Sequence, residues 1–189
     1  FRCKFCFYYA EIEKGRKPEE LTLDQIDKIS RSKGSLLQLS LTGGEPFLRK
    51  DFPELTEIWI KNTGVRYISI PTNASLNDRM ARYFEYLLPK FPDTCFRLAF
   101  SIDGIEDEHD TNRSMPGSFK KIQESFKTMD SFRKKYKNLV LDCNTVFTAN
   151  TKGRIVEILD HINKNFSFDN QTSTYVRGKI NDQNLKVKA

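Results

Sequence analysis

The feature of this sequence that most constrains its fold is a regular alternation of short apolar runs with amphipathic helical patterns. Strand-like runs occur at residues 36–41, 67–70, 96–102, 139–147 and 172–176. Between them, apolar residues recur three and four positions apart, as on one face of a helix. This order is typical of right-handed βαβ units with parallel strands. We therefore expect an α/β fold, either an open, partial barrel of parallel strands or a doubly wound sheet.

Residues that favour helix N-termini mark several of the helical segments. Thr22 and Gln25 match a capping box, in which two side chains satisfy each other's backbone amides. Candidate N-caps for the later helices are Asp51, Ser75, Ser118, and Asn150 or Thr151.

Composition excludes several classes of protein. The chain has 189 residues, of which 38% are hydrophobic, enough for the core of one domain. No apolar run approaches the roughly 20 residues that span a bilayer, so we expect no membrane partner. The net charge is +6, but the basic residues are spread along the helices, which favours a solvated surface over a nucleic-acid site. Four cysteines are too few for a disulfide scaffold and favour the cytoplasm.

Polar and glycine-containing segments follow the predicted strands. Ligands of parallel α/β folds bind beyond the carboxyl ends of the strands, so these segments predict one active site at that edge. They comprise residues 42–46, 71–73 and 101–104, with Asp142 and Asn144 on the fourth strand and Arg177-Gly178 after the last.

Cys3 and Cys6 form a C-x-x-C pair before the first helix. Two thiolates at this spacing can hold zinc or iron, and they can also act as a redox dithiol. A zinc site needs two further ligands, and the other cysteines and histidines are not in paired spacing. They are Cys95, Cys143, His109 and His161.

The turn Gly43-Gly44-Glu45-Pro46 follows the first predicted strand. Paired glycines permit positive φ angles or a close approach of backbone to a ligand. Glu45 adds a carboxylate, and Pro46 stiffens the chain after it. A tight turn without a ligand is the structural alternative.

Together these segments resemble the radical S-adenosylmethionine (SAM) superfamily. The resemblance rests on Cys3-x-x-Cys6 with Phe5 before the second cysteine, on L-T-G-G-E-P-F-L-R (41–49), on P-T-N (71–73) and on S-I-D-G-x-x-x-x-H-D-x-x-R (101–113). The later motifs resemble the peptide- and protein-modifying branch, whose members carry a SPASM or related C-terminal domain.

The resemblance implies a partial (β/α)6-type open parallel barrel whose first strand is missing from this chain. The family motif is C-x-x-x-C-x-x-C, so its first cysteine is expected two residues before Phe1. We expect residues 1–180 to be an N-terminally truncated radical SAM core domain and residues 181–189 to begin a linker to a further region.

The same resemblance implies the cofactors and the reaction. A 4Fe–4S cluster would reductively cleave SAM to a 5′-deoxyadenosyl radical, which abstracts hydrogen from a peptide or protein side chain. A small-molecule substrate, such as a tetrapyrrole or cofactor precursor, is one alternative, and a non-catalytic zinc-binding module is another. Reduced flavodoxin or ferredoxin is the expected electron donor.

Site residues follow by the same analogy. Cys3 and Cys6 would be metal ligands, and Glu45 would accept from the SAM ammonium group. Arg113 would neutralise the methionine carboxylate, or is instead a surface arginine. The predicted cofactor-binding residues are Phe5, Gly43, Gly44, Glu45, Pro46, Asn73, Ser101, Arg113 and Asn144.

Overall fold

Five parallel strands form one sheet in the order in which they occur in the chain. The computed structural model describes residues 1–6, 8, 19–180 and 182–187. The strands are β1 (Gln38–Ser40), β2 (Tyr67–Thr72), β3 (Cys95–Ser101), β4 (Leu139–Phe147) and β5 (Asn170–Tyr175). A doubly wound sheet reverses its strand order at a switch point. No reversal occurs among the described strands; the sheet instead curls into a half-barrel, which confirms the predicted partial barrel.

Helices connect the strands. They are α1 (Leu23–Arg31), α2 (Phe52–Thr63), α3 (Asn77–Leu87), α4 (Asp107–Arg113), α5 (Ser118–Lys135) and α6 (Ile155–Asn165), with 3-10 turns at Pro46–Leu48, Lys152–Arg154 and Gln183–Leu185. Apolar periodicity does not predict α4, because all seven of its residues are polar. None of the helices in the described ranges is long and apolar enough to cross a bilayer.

The two faces of the sheet differ in chemistry because strand side chains alternate between them. One face is fully buried beneath the helices and is apolar, as at Ile68, Leu98 and Leu141. The other face is the concave side of the half-barrel, and it carries polar residues such as Ser69 and Arg97. Packing against helices therefore uses one face and leaves the other for polar chemistry.

The first helix begins as the sequence predicts. The Thr22 hydroxyl accepts from the Gln25 N–H at 3.2 Å, and the Gln25 side chain accepts from the Thr22 N–H at 2.9 Å. Asp51 immediately precedes α2, but its carboxylate binds Arg49 Nε at 2.7 Å and makes no capping bond. Asp51 therefore occupies the predicted N-cap position, but its side chain does not cap the helix.

The predicted caps at Ser75 and Ser118 are corrected by tertiary contacts. Helix α3 begins after Leu76, not after Ser75. Ser118 is the first residue of α5, and the cap is the carboxylate of Asp110 on α4. That carboxylate accepts from the Ser118 hydroxyl at 2.7 Å and from the Phe119 N–H at 2.8 Å.

Residues near the C-terminal end of the described chain pack on the N-terminal segment. Ile180 and Leu185 are buried in a small apolar cluster with Cys3 and Phe5. The Asp182 N–H also donates to the Lys4 carbonyl at 3.4 Å. The domain boundary at residue 180 stays a prediction, and positions 181, 188 and 189 of the predicted linker lie outside the described residues.

Phe47 anchors the turn that follows β1. Its ring is 2% exposed and lies edge-on to Phe52 and Tyr83, with centroids 5.4 Å away in both cases. The neighbouring Leu48 side chain is 61% exposed. Packing of Phe47 therefore fixes where the glycine turn lies relative to α2 and α3.

We expect Phe47→Ala to lower the free energy of unfolding by about 3–5 kcal/mol, because it removes a buried ring and leaves a cavity. Leu48→Ala is the matched control and is expected to change stability by no more than about 0.5 kcal/mol. Equilibrium denaturant unfolding of the two variants checks this. Equal effects would contradict the role assigned to the Phe47 ring.

Candidate active site

The carboxyl ends of the strands and the N-terminal cysteine segment line one cavity of about 610 Å³. Most of the residues predicted for the site meet there. Those lining the cavity are Cys3, Phe5, Cys6, Gly43, Gly44, Glu45, Asn73, Ser101 and Arg113. The two sulfur-bearing residues and the glycine-glycine-acid turn therefore share one cavity, although about 40 residues of sequence separate them.

Pro46 and Asn144 are the predicted residues that do not line this cavity. Pro46 is buried as the first residue of the 3-10 turn after β1. Asn144 lies on the concave face of β4, two residues before Val146, which does reach the cavity. Two strand residues span about 6.6 Å, so Asn144 sits deeper in the half-barrel, in a separate depression with Arg97 and Asp142.

The cysteine segment is held in place although residues 1–6 form no strand. The Cys6 N–H donates to the Cys3 carbonyl at 3.0 Å, which closes a turn. Both cysteines are free thiols, and Cys3 is 9% exposed. Burial raises the pKa of the Cys3 thiol, and the nearby Arg113 charge opposes that rise.

Arg113 connects this segment to the barrel. Its Nη1 lies 3.8 Å from Cys3 Sγ, its guanidinium carbon lies 5.7 Å from the centre of the Phe5 ring, and its Nη2 pairs with Asp103. The Arg113 side chain is 11% exposed and the Asp103 side chain is fully buried. Arg113 is therefore not a surface arginine.

Asp103 is fixed by hydrogen bonds to neighbours on two elements, β4 and α4. Its Oδ1 accepts from the Val146 N–H at 2.8 Å, and its carbonyl accepts from the Asn112 amide at 2.7 Å. Its own N–H donates to His109 Nδ1 at 3.1 Å. The H-D-x-x-R portion of the sequence motif thus builds α4 around Asp103 and delivers Arg113 to the cavity.

Glu45 holds the glycine turn against the end of β2. Its Oε1 accepts from the Thr72 hydroxyl at 2.9 Å and from the Phe47 N–H at 3.3 Å, and its Oε2 accepts from the Asn73 N–H at 2.7 Å. Burial raises the pKa of Glu45, although these three donors favour the anion. A carboxylate has about four acceptor positions, so one remains for a ligand.

Several residues that line the cavity were not predicted individually as site residues, although Leu48 and Thr72 lie within the quoted motifs. Leu48, Leu76 and Tyr175 contribute apolar surface there, and Thr72 supplies a hydroxyl to Glu45. Their positions at or shortly after strand ends were the available signal. Their residue types carry no distinctive chemistry, which is why the pattern did not select them.

The two cysteines do not form a complete metal site by themselves. Within the part of the chain that the structure describes, no group of three His, Cys, Asp or Glu side chains could hold a metal ion. Nearby, Arg113 Nε is buried and has no hydrogen-bond partner among the described residues. A buried donor beside two thiols suits an anionic, sulfur-rich group such as an iron–sulfur cluster.

Acid is expected to weaken the fold through His109. Burial, together with the Arg113 charge, lowers the pKa of His109 from 6.5 to about 4, and the Asp103 and Asp110 charges only partly oppose this change. Between these two pH values the unfolded chain binds a proton that the folded chain does not. Stability is thus retained above pH 6.5 and lost as the pH falls towards 4, by at most about 3 kcal/mol.

His109→Asn keeps an acceptor near Asp103 but cannot titrate, so its loss of stability between pH 6.5 and 4 should be smaller than that of the unmodified chain. His161→Asn is the matched control and should retain the full loss. Denaturant unfolding measured across this pH range checks the difference. An identical pH profile for His109→Asn would contradict the contribution assigned to His109.

Comparison with known proteins shows where this chain belongs. A family model described as the radical SAM superfamily matches residues 1–162. GTP 3′,8-cyclase of Pasteurella multocida (strain Pm70) is 35% identical over 75 residues, which cover 39% of this chain and 22% of that protein. The same enzyme of Stenotrophomonas maltophilia (strain K279a) is 37% identical over 81 residues, which cover 42% of this chain and 24% of that protein.

Solved structures share the fold. Native anSMEcpe with bound AdoMet and Kp18Cys peptide has a TM-score of 0.72 at 19% identity, covering 100% of this chain and 52% of that one. Native anSMEcpe with bound AdoMet has a TM-score of 0.68 at 20% identity, covering 93% of this chain and 48% of that one. The chain thus spans about half of these structures and about a quarter of the matched cyclases.

The family assignment also confirms the predicted cofactors, because enzymes of this family use a 4Fe–4S cluster and SAM and the solved structures carry AdoMet. The family match covers well over half of the chain, from the cysteine segment to α6. The chain belongs to the radical SAM superfamily.

Proposed function

We propose that the protein containing this chain is a radical SAM enzyme of the SPASM-type branch that acts on a peptide or protein side chain. The observation that carries the enzymatic part is the shared cavity, in which Cys3 and Cys6 face the turn at Gly43-Gly44-Glu45. When bound, the cluster supplies the electron that cleaves SAM and so yields the 5′-deoxyadenosyl radical. A reductant of the flavodoxin or ferredoxin class would provide that electron, and the cytoplasm would be the compartment.

The chain's own residues would divide the binding between them. Cys3 and Cys6 would hold the cluster, together with one further cysteine. The backbone at Gly43, Gly44 and Pro46 and the remaining acceptor position of Glu45 would face the SAM ammonium. Phe5 would pack near the adenine. The polar candidates for the carboxylate and ribose are Asn73, Ser101, Arg113 and Asn144, the last from deeper in the half-barrel.

Apolar side chains around the cavity would exclude water. Phe5, Leu76 and Val146 line it, and Leu48 and Tyr175 also line it with at least half of their surface exposed. A water-poor cavity strengthens the contact between the Glu45 carboxylate and an ammonium group. It also prevents side reactions of reactive species formed there.

Charge in the cavity favours a peptide over a nucleoside triphosphate. The cationic side chains among the described lining residues are Arg113 and Arg177, and Asp103 already neutralises Arg113. Polyphosphates are normally bound by several arginines or lysines through charge-assisted hydrogen bonds. The likeness to structures with a bound peptide covers the whole chain, whereas the match to GTP 3′,8-cyclase covers 39% of it.

A small-molecule substrate is the second candidate. It is favoured by the sequence identity of 35–37% with GTP 3′,8-cyclases, which exceeds the 19% identity with the peptide-bound structure. The two candidates predict different substrates for the same radical chemistry.

We expect Cys3→Ala and Cys6→Ala to abolish the formation of 5′-deoxyadenosine by the anaerobically reconstituted full-length protein, since each removes a ligand of the cluster. Cys95→Ala is the matched control, because Cys95 lies at the opposite, amino end of β3 and should leave turnover unchanged. Chromatographic assay of 5′-deoxyadenosine and analysis of iron and sulfide check this. Retained cleavage in either of the first two variants would refute the assignment, and zinc without sulfide would favour the binding module.

The substrate class is tested with two probes, GTP and the Kp18Cys peptide. We expect GTP to be recovered unchanged and not to stimulate SAM cleavage, because the described lining lacks the cations for its phosphates. We expect the peptide to stimulate cleavage. Mass spectrometry of both probes after turnover measures the outcome, and conversion of GTP to a cyclised product would establish the second candidate instead.

A further inference from the structure

The guanidinium of Arg113 is placed by the protein before any ligand arrives. Arg113 is the last residue of α4, and the next residue, Ser114, turns the chain away in the left-handed region with φ of 51°. The Asp103 carboxylate that pairs with it has a fully buried side chain and is held by the Val146 N–H. A buried charge pair with this support is rigid, because moving either partner leaves an uncompensated charge.

One of the remaining donors of Arg113 contacts the cysteine segment. Nη2 is used by Asp103, Nη1 lies 3.8 Å from Cys3 Sγ, and Nε has no partner among the described residues. The guanidinium carbon lies over the Phe5 ring, which is two residues beyond Cys3. Arg113 therefore contacts both the sulfur of Cys3 and the aromatic residue that shapes the turn between the cysteines.

We infer that Arg113 is a positioning residue for Cys3 that donates a hydrogen bond to the ligand sulfur and raises the reduction potential of the cluster. The inference rests on the proposed function, in which Cys3 is a cluster ligand. Hydrogen bonds to cluster sulfurs and nearby positive charge stabilise the reduced state, which carries one more negative charge. Asp103 fixes the guanidinium and partly offsets its charge.

This role differs from neutralisation of the SAM carboxylate. If Arg113 served mainly to bind the SAM carboxylate, its loss would chiefly lower the affinity for SAM. A sulfur partner makes the potential of the SAM-free cluster depend on Arg113. It also gives Arg113 and Asp103 effects of opposite sign, since one is a cation and the other an anion beside the same sulfur.

The test uses the anaerobically reconstituted full-length protein without SAM. Its cluster is titrated with dithionite in the presence of mediators and followed by electron paramagnetic resonance. Arg113→Gln should lower the midpoint potential, and Asp103→Asn should raise it. Arg113→Lys keeps the charge without the planar fork, so its potential should lie between those of Arg113→Gln and the unmodified protein.

Arg97→Gln is the matched control. Arg97 also pairs with a carboxylate on the concave face, Asp142 at 2.7 Å, but the Arg97–Asp142 pair lies in a different depression from the cysteines. The midpoint potential of the cluster in Arg97→Gln should equal that of the unmodified protein. Iron and sulfide analysis accompanies each titration. If Arg113→Gln loses the cluster, Arg113→Lys and Asp103→Asn show the direction in which the midpoint potential changes.

Unchanged potentials in the Arg113 and Asp103 variants would overturn the inference. A loss of SAM affinity without a change in potential, measured by calorimetry, would assign Arg113 to the carboxylate instead. Failure of the unmodified protein to hold a cluster would refute the proposed function itself, and is thereby distinguished from failure of this inference.

Discussion

The buried ion pair between Asp103 and Arg113 is the interaction on which the arrangement of the site depends. It joins the carboxyl end of β3 and the helix α4 to a cysteine segment that forms no strand of its own. Removing one partner of such a pair typically costs about 3–5 kcal/mol, because the other charge stays buried and unpaired. The pair is thus both a structural link and a source of positive charge beside Cys3.

The half-barrel separates packing from chemistry. Apolar residues on the outer face of the sheet, such as Phe96 and Phe100, are fully buried and pack with apolar helix residues to form the core. The concave face carries the polar residues and ends in the cavity. Glu45 contributes to both, because its carboxylate holds the turn after β1 against the end of β2 and also lines the cavity.

Local sequence patterns were reliable where the stabilising contacts are local. The capping box at Thr22 and Gln25 forms as predicted because both partners lie within one helical turn. The cap of α5 was not predictable, because its acceptor is Asp110 on a different helix, eight residues earlier. Helix α4 was missed for the same reason: its polar residues are stabilised by contacts with Asp103 and α5, not by an apolar stripe.

The sequence alone determined the α/β class, the parallel order of units, the family and the edge of the sheet at which the unusual residues gather. The fold class and the parallel order follow from periodicity, and the family follows from the resemblance of short motifs, all of which can be seen in the linear sequence. Only the tertiary structure decided which of those residues share the cavity, that Asn144 lies deeper, and that Arg113 pairs with Asp103 beside Cys3. The physical reason is distance along the chain: the contact between Arg113 and Cys3 joins residues 110 positions apart, and only the curled sheet brings them together.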